Sequence, residues 1–145
     1  MELRSVEELM DLLYACRGAW DTSGPGGTRV DLHQHALRTA ALLRRSRPAD
    51  KELQVAGLVR AIGPLLGPGD PAAQRNCAAD AVRPLLGERI SVLVRATDPG
   101  DEDLARLHQA CEEGRGAGFD AGVLEDWRTV LELVAARNSR LGAVD

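Results

Sequence analysis

Apolar residues recur along this chain at three- and four-residue intervals, and every periodic segment favours helix over strand. Ser5-Val6-Glu7-Glu8 is a capping box, in which the Ser and Glu side chains satisfy free amides at a helix start. Leu9, Leu12, Leu13 and Cys16 then repeat at helical spacing until Gly18. A second helix is expected from about Val30 to Arg45, ending before Pro48. A third begins near Asp50 and must end or kink by Pro64, which lacks an amide hydrogen and clashes with the preceding turn.

Asp70-Pro71 supplies an acidic cap followed by proline in the first turn, and the helix it opens is expected to stop near Pro84. A fifth helix covers about Glu88 to Thr97. Asp101-Glu102-Asp103 opens a sixth with acids that complement its dipole. That helix carries Leu104, Leu107, His108 and Cys111 inward and ends at Gly114. Asp120 is expected to cap a long last helix with Leu124, Trp127, Leu131, Val134 and Leu141 on one stripe. No repeat, low-complexity tract or domain boundary interrupts the pattern. The chain therefore reads as one all-α domain, residues 1–145, a bundle of about six to seven helices.

Composition narrows this picture. A chain of 145 residues buries roughly 68–70% of its unfolded surface, enough for a core without staples. With 44% hydrophobic but only 3% aromatic residues, that core must be built from Leu, Val and Ala. The stretch Gly18 to Thr28, which holds Ser23-Gly24-Pro25-Gly26-Gly27, reads as a turn, with a lid or cradle as the alternative. A net charge of -4, a pI near 5.4 and no basic cluster beyond Arg44-Arg45-Ser46-Arg47 argue against a nucleic-acid partner. Of 18 basic residues only Lys51 is lysine, which reads as a GC-rich coding bias of the actinobacterial kind.

Cys16, Cys77 and Cys111 are widely spaced and form no Cys-x-x-Cys pair, as in proteins with reduced thiols. Met1-Glu2-Leu3-Arg4 runs into the first cap without an apolar signal core, and no apolar run approaches the roughly 20 residues of a bilayer span. A cytoplasmic protein with no membrane partner is expected.

Two segments carry a resemblance. Val55-Ala56-Gly57-Leu58-Val59-Arg60-Ala61-Ile62-Gly63-Pro64-Leu65-Leu66, taken with Asp31-Leu32-His33-Gln34-His35-Ala36-Leu37-Arg38-Thr39-Ala40-Ala41, resembles the HD-domain family of helical metalloenzymes. The stretch Ala78 to Arg95 extends the likeness, which looks most like the diiron oxygenase branch. That branch includes the phosphonate-cleaving oxygenases and, more distantly, myo-inositol oxygenase. Its members bind two irons through His and Asp from several helices and oxidise small polyol or phosphonate substrates.

Carried over residue by residue, the resemblance keeps one metal ligand, His35. Arg60-Ala61 stands where the family has His-Asp, and Pro64 where the oxygenase branch often has a further histidine. Gln74 falls near the ligand before the fourth helix, Thr97 near the one closing the fifth, and Arg137 or Asn138 where the last aspartate belongs. The substrate-contacting segment of that branch shrinks here to Asp98 through Phe119. A dinuclear iron site needs about six anionic or imidazole donors, and guanidinium offers no lone pair. No metal and no cofactor is therefore expected, and a metal-dependent oxygenase or phosphohydrolase is the least favoured reading.

On helical geometry, Leu53, Ala56, Gly57 and Arg60 share one stripe, and Leu32, His35, Ala36 and Thr39 share another. Arg60 and His35 are thus expected to face one emptied pocket, in which an unpaired Arg would need an acid or an anionic ligand. His33 and His35, two residues apart, diverge by roughly 160° and cannot share an ion. His33 is expected at the surface. His108 and Cys111 have metal-pair spacing but lack a second pair, so helix packing is their expected role. Cys77 is expected as a small buried residue unless a base lies beside it, and Trp127 as a packing anchor. Trp20 is the candidate pocket wall, with Gln74 and Thr97 as further ligand-binding candidates.

Two function classes stand at this point. In one, a metal-free HD-like protein keeps its pocket, with Arg60 and His35 binding a small anionic metabolite. His35 could also serve cofactor-independent lyase, isomerase or cyclase chemistry in specialised metabolism. In the other, a catalytically inactive relative acts through its surface as a homodimer or as the regulator of a partner enzyme.

Overall fold

The computed structural model describes residues 2–21, 30–67, 69–97, 100–116 and 120–143. The bundle is laid down in chain order as α1 (Val6–Ala15), β1 (Trp20–Asp21), β2 (Val30–Asp31), α2 (Leu32–Ser46), α3 (Lys51–Val59), α4 (Gly63–Leu66), α5 (Pro71–Leu86), α6 (Glu88–Arg95), α7 (Glu102–Gly116) and α8 (Arg128–Ala143). Single 3-10 turns lie at Arg60–Ile62 and Leu124–Trp127. The glycine-rich positions 23–27 lie outside the described residues. No described helix is long and apolar enough to cross a membrane.

Caps mark most of the expected starts. Ser5 accepts from the Glu8 amide, while the Glu8 carboxylate reaches back to the Arg4 amide at 3.0 Å. Asp31, Asp50 and Asp70 each accept from the amide three residues on, opening α2, α3 and α5. Asp120 does not open the last helix. It accepts from Gly122 instead, and Asp126 turns back to the Val123 amide, so helical structure begins at Leu124.

Three further boundaries differ from the pattern-based expectation. β1 and β2 form a two-residue antiparallel pair, Trp20 opposite Asp31 and Asp21 opposite Val30, too short for any alternation to reveal. α5 runs through Pro84 to Leu86. Pro84 and Asp80, whose carbonyl loses its partner, are both exposed, and Asn138 takes the Pro84 and Leu85 carbonyls at 3.0 and 3.2 Å. α7 passes Gly114 and ends at Gly116.

The core is made of Leu, Val and Ala from every long helix, with Trp127 fully buried and Leu124, Leu131 and Val134 on its stripe. Leu141 lies outside the residues whose side chains are described. α2 packs against both α3 and α7, and α5 against α6. Four polar residues are buried in this core: His33, Thr39, Gln54 and Ser91. His33 is therefore not at the surface; it is 3% exposed and donates from Nδ1 to the Leu13 carbonyl at 2.8 Å. Gln54 and Ser91 likewise donate to backbone carbonyls, Arg47 and Ala79. Thr39 differs, since its Oγ1 meets no nitrogen or oxygen partner and its polar neighbour is the Cys111 thiol.

Candidate functional site

Thr39 lies at the contact of α2, α3 and α7, where two glycines let the helices approach. A Cβ on Gly57 would stand 2.5 Å from Leu43 Cδ1 and 3.0 Å from Thr39 Cγ2. A Cβ on Gly114 would stand 3.1 Å from Thr39 Oγ1 and 3.3 Å from His35 Cδ2. Beside this contact is a cavity of about 150 Å³ lined by Leu32, His35, Ala36 and Thr39 of α2, Gly57, Arg60, Ala61 and Pro64 of the α3–α4 segment, and Cys111 of α7. Helical spacing thus brings His35, Thr39 and Arg60 to one wall system.

Arg60 keeps helical dihedrals with its amide on the Ala56 carbonyl, so it continues the α3 stripe, and the chain breaks just after it. Pro64 cannot donate to the Arg60 carbonyl four residues earlier, and its ring crowds that carbonyl. The Gly63 amide takes the carbonyl instead, tightening the chain into the 3-10 turn Arg60–Ile62. Arg60 Nη1 is buried and has no hydrogen-bond partner among the described residues. Arg60, with its orphaned guanidinium nitrogen, and Thr39, whose hydroxyl meets the Cys111 thiol, therefore line the same small cavity.

His35 Nε2 lies 2.8 Å from the Cys111 carbonyl. A carbonyl only accepts, so Nε2 carries the hydrogen and is committed to holding α2 against α7. The Cys111 thiol is pushed up chiefly by burial, with Arg60 and then a hydrogen bond to Thr39 pulling the other way, so it stays an uncharged wall. His108, on the same helix, is pushed down by burial and then by Arg60 and Arg75, against an opposing Glu112. The surroundings of the cavity are cationic, and no carboxylate lines it.

These residues do not fit the dinuclear iron centre that the HD resemblance would bring. The cavity offers one imidazole already hydrogen-bonded, a thiol held protonated and a guanidinium, against about six donors required. Among the described residues no three His, Cys, Asp or Glu side chains group to hold a metal.

The other sequence candidates lie away from this cavity. Trp20 is half exposed on β1. Gln74 donates to the Gly69 carbonyl at 3.3 Å, and its own backbone carbonyl lies against Gly63. Thr97 is exposed beyond the end of α6, and Asn138 serves the α5–α6 corner. Cys77 packs its Sγ against Gly67. Thr39 was legible only as a member of the α2 stripe; nothing in the sequence marks its burial beside Cys111. No protein-family model, curated protein or solved structure matches the chain.

Proposed function

We propose that this chain is a metal-free HD-like protein whose cavity binds a small organic anion, with Arg60 and Thr39 as its recognition pair. The observation that carries this reading is the orphaned Arg60 Nη1 on a cavity that Thr39 also lines and no carboxylate enters. A buried donor without a partner costs about 1–3 kcal/mol, more for a charged group, and a bound oxyanion removes that cost at Arg60. Guanidinium and hydroxyl are complementary to a carboxylate or phosphate group.

Size limits the ligand. A cavity of about 150 Å³ holds a molecule of benzene size, roughly six heavy atoms. Leu32, Ala36, Ala61 and Pro64 supply an apolar remainder, so a short-chain monocarboxylate fits better than a sugar phosphate. Commitment of His35 Nε2 to the Cys111 carbonyl favours binding over proton transfer.

A thermal-shift panel of butyrate, phosphate and the uncharged butyramide tests this. Ligand at 100 times its Kd adds about 2.7 kcal/mol of stability. Butyrate should raise Tm, butyramide should not, and Arg60→Met should erase the difference. Equal shifts from butyrate and butyramide would remove the anion from the account.

A further inference from the structure

A second cavity, of about 250 Å³, lies on the far side of α2, between the end of α1 and the segment before α8. Its inner wall is His33, a residue 97% withdrawn from solvent, which Leu37 and Leu124 flank with apolar surface. His33 Nδ1 donates to the Leu13 carbonyl at 2.8 Å, so the neutral ring carries its hydrogen there and presents Nε2 as a bare acceptor. No described residue donates to Nε2. The ring is held in place by Tyr14, stacked on it with centroids 5.9 Å apart and planes 19° apart, and Arg17 covers Tyr14 at 5.8 Å. The cavity is of mixed character, with Arg17, Gln34 and Glu125 also in its lining, and the buried His33 places an acceptor held by its Leu13 hydrogen bond in the wall.

We propose that this cavity is a second ligand site, taking a flat bicyclic nitrogen heterocycle that donates a ring N–H to His33 Nε2. The size follows from the volume: about 150 Å³ accommodates one six-membered carbon ring, so 250 Å³ accommodates two fused rings. The donor follows from the acceptor that faces it. The apolar faces come from Leu37, Leu124 and the half-exposed Val123, and Glu125 at the rim is already held by Arg128 Nε at 2.6 Å. The Arg60 cavity opens on the opposite face of α2, so this site stands apart from the anion site.

Titrating the full chain at pH 8 with benzimidazole and with 1-methylbenzimidazole, followed by amide NMR shifts, tests the proposal. Benzimidazole should move Tyr14, His33, Leu37 and Val123 while leaving Arg60 and Cys111 in place. The methylated probe, which has no N–H, should bind at least tenfold more weakly. His33→Phe should abolish that preference. Val123→Glu, a change at an exposed side chain, should block both probes while the protein stays folded. Equal affinity for the two probes, shifts centred on Arg60, or no binding by either would each overturn the assignment.

Discussion

Pro64 turns the chain immediately after Arg60, and both residues line one cavity. By withholding an amide hydrogen from the Arg60 carbonyl, Pro64 leaves that carbonyl to Gly63 and converts the end of α3 into a 3-10 turn. Arg60 itself stays helical, with its amide on the Ala56 carbonyl, and the turn brings Pro64 to the cavity beside it. Pro64→Ala restores the missing donor and should let α3 and α4 run together. Far-UV circular dichroism should show a small gain in helix, and the butyrate-induced shift should shrink. A butyrate response identical to that of the parent protein would separate the kink from the site.

Arg60→Met should not destabilise the unliganded protein. A half-buried guanidinium with an unpartnered nitrogen is exchanged for an apolar chain of similar length, a change that is often neutral or stabilising by about 1 kcal/mol or more. Urea denaturation without added anions should give an unchanged or higher midpoint. A loss above about 1 kcal/mol would mean that Arg60 is anchored by the protein itself.

Gly57→Ala should cost stability. Its Cβ would stand 2.5 Å from Leu43 Cδ1 and 3.0 Å from Thr39 Cγ2, and core overpacking of this kind costs about 1–3 kcal/mol. Thermal unfolding should fall by several degrees. An unchanged Tm would show that α2 and α3 can separate freely at this point.

Acid should weaken the junction of α3, α6 and α7 through Asp50. Its carboxylate takes two hydrogen bonds from Arg89, at 2.8 Å each, and Arg89 holds it below the ordinary carboxylate range. A depressed folded value stabilises the protein above the unfolded pKa of about 4, and that stability is lost as pH falls through the folded value. Stability measured from pH 6 down to pH 2 should therefore decline, and Asp50→Asn should flatten part of that limb. Parallel curves for the two proteins would contradict the assignment.

Helix number, most caps and the α2 and α3 stripes were legible because they rest on local spacing and cap chemistry. Asp31, Asp50 and Asp70 stand where their amides need them, and the stripe residues Leu32, His35, Ala36 and Thr39 all reach one cavity. What escaped depends on contacts between distant segments. His33 is buried because Leu13, twenty residues earlier, offers its carbonyl. Pro84 is tolerated inside α5 because Asn138 of α8 takes the carbonyls at that end. Arg60 matters because nothing partners its Nη1, and an absent contact leaves no mark in a sequence. Gln74 and Thr97, which the resemblance puts near ligand positions, and Trp20, the candidate pocket wall, do not line the cavity.

Isothermal titration of butyrate into the parent protein, Arg60→Met and Thr39→Val tests the central claim most directly. Recognition by the orphaned guanidinium together with the Thr39 hydroxyl predicts saturable binding to the parent, at least tenfold weaker in each variant, a loss of about 1.4 kcal/mol or more. Binding of equal strength in all three proteins, or none in the parent, would contradict it.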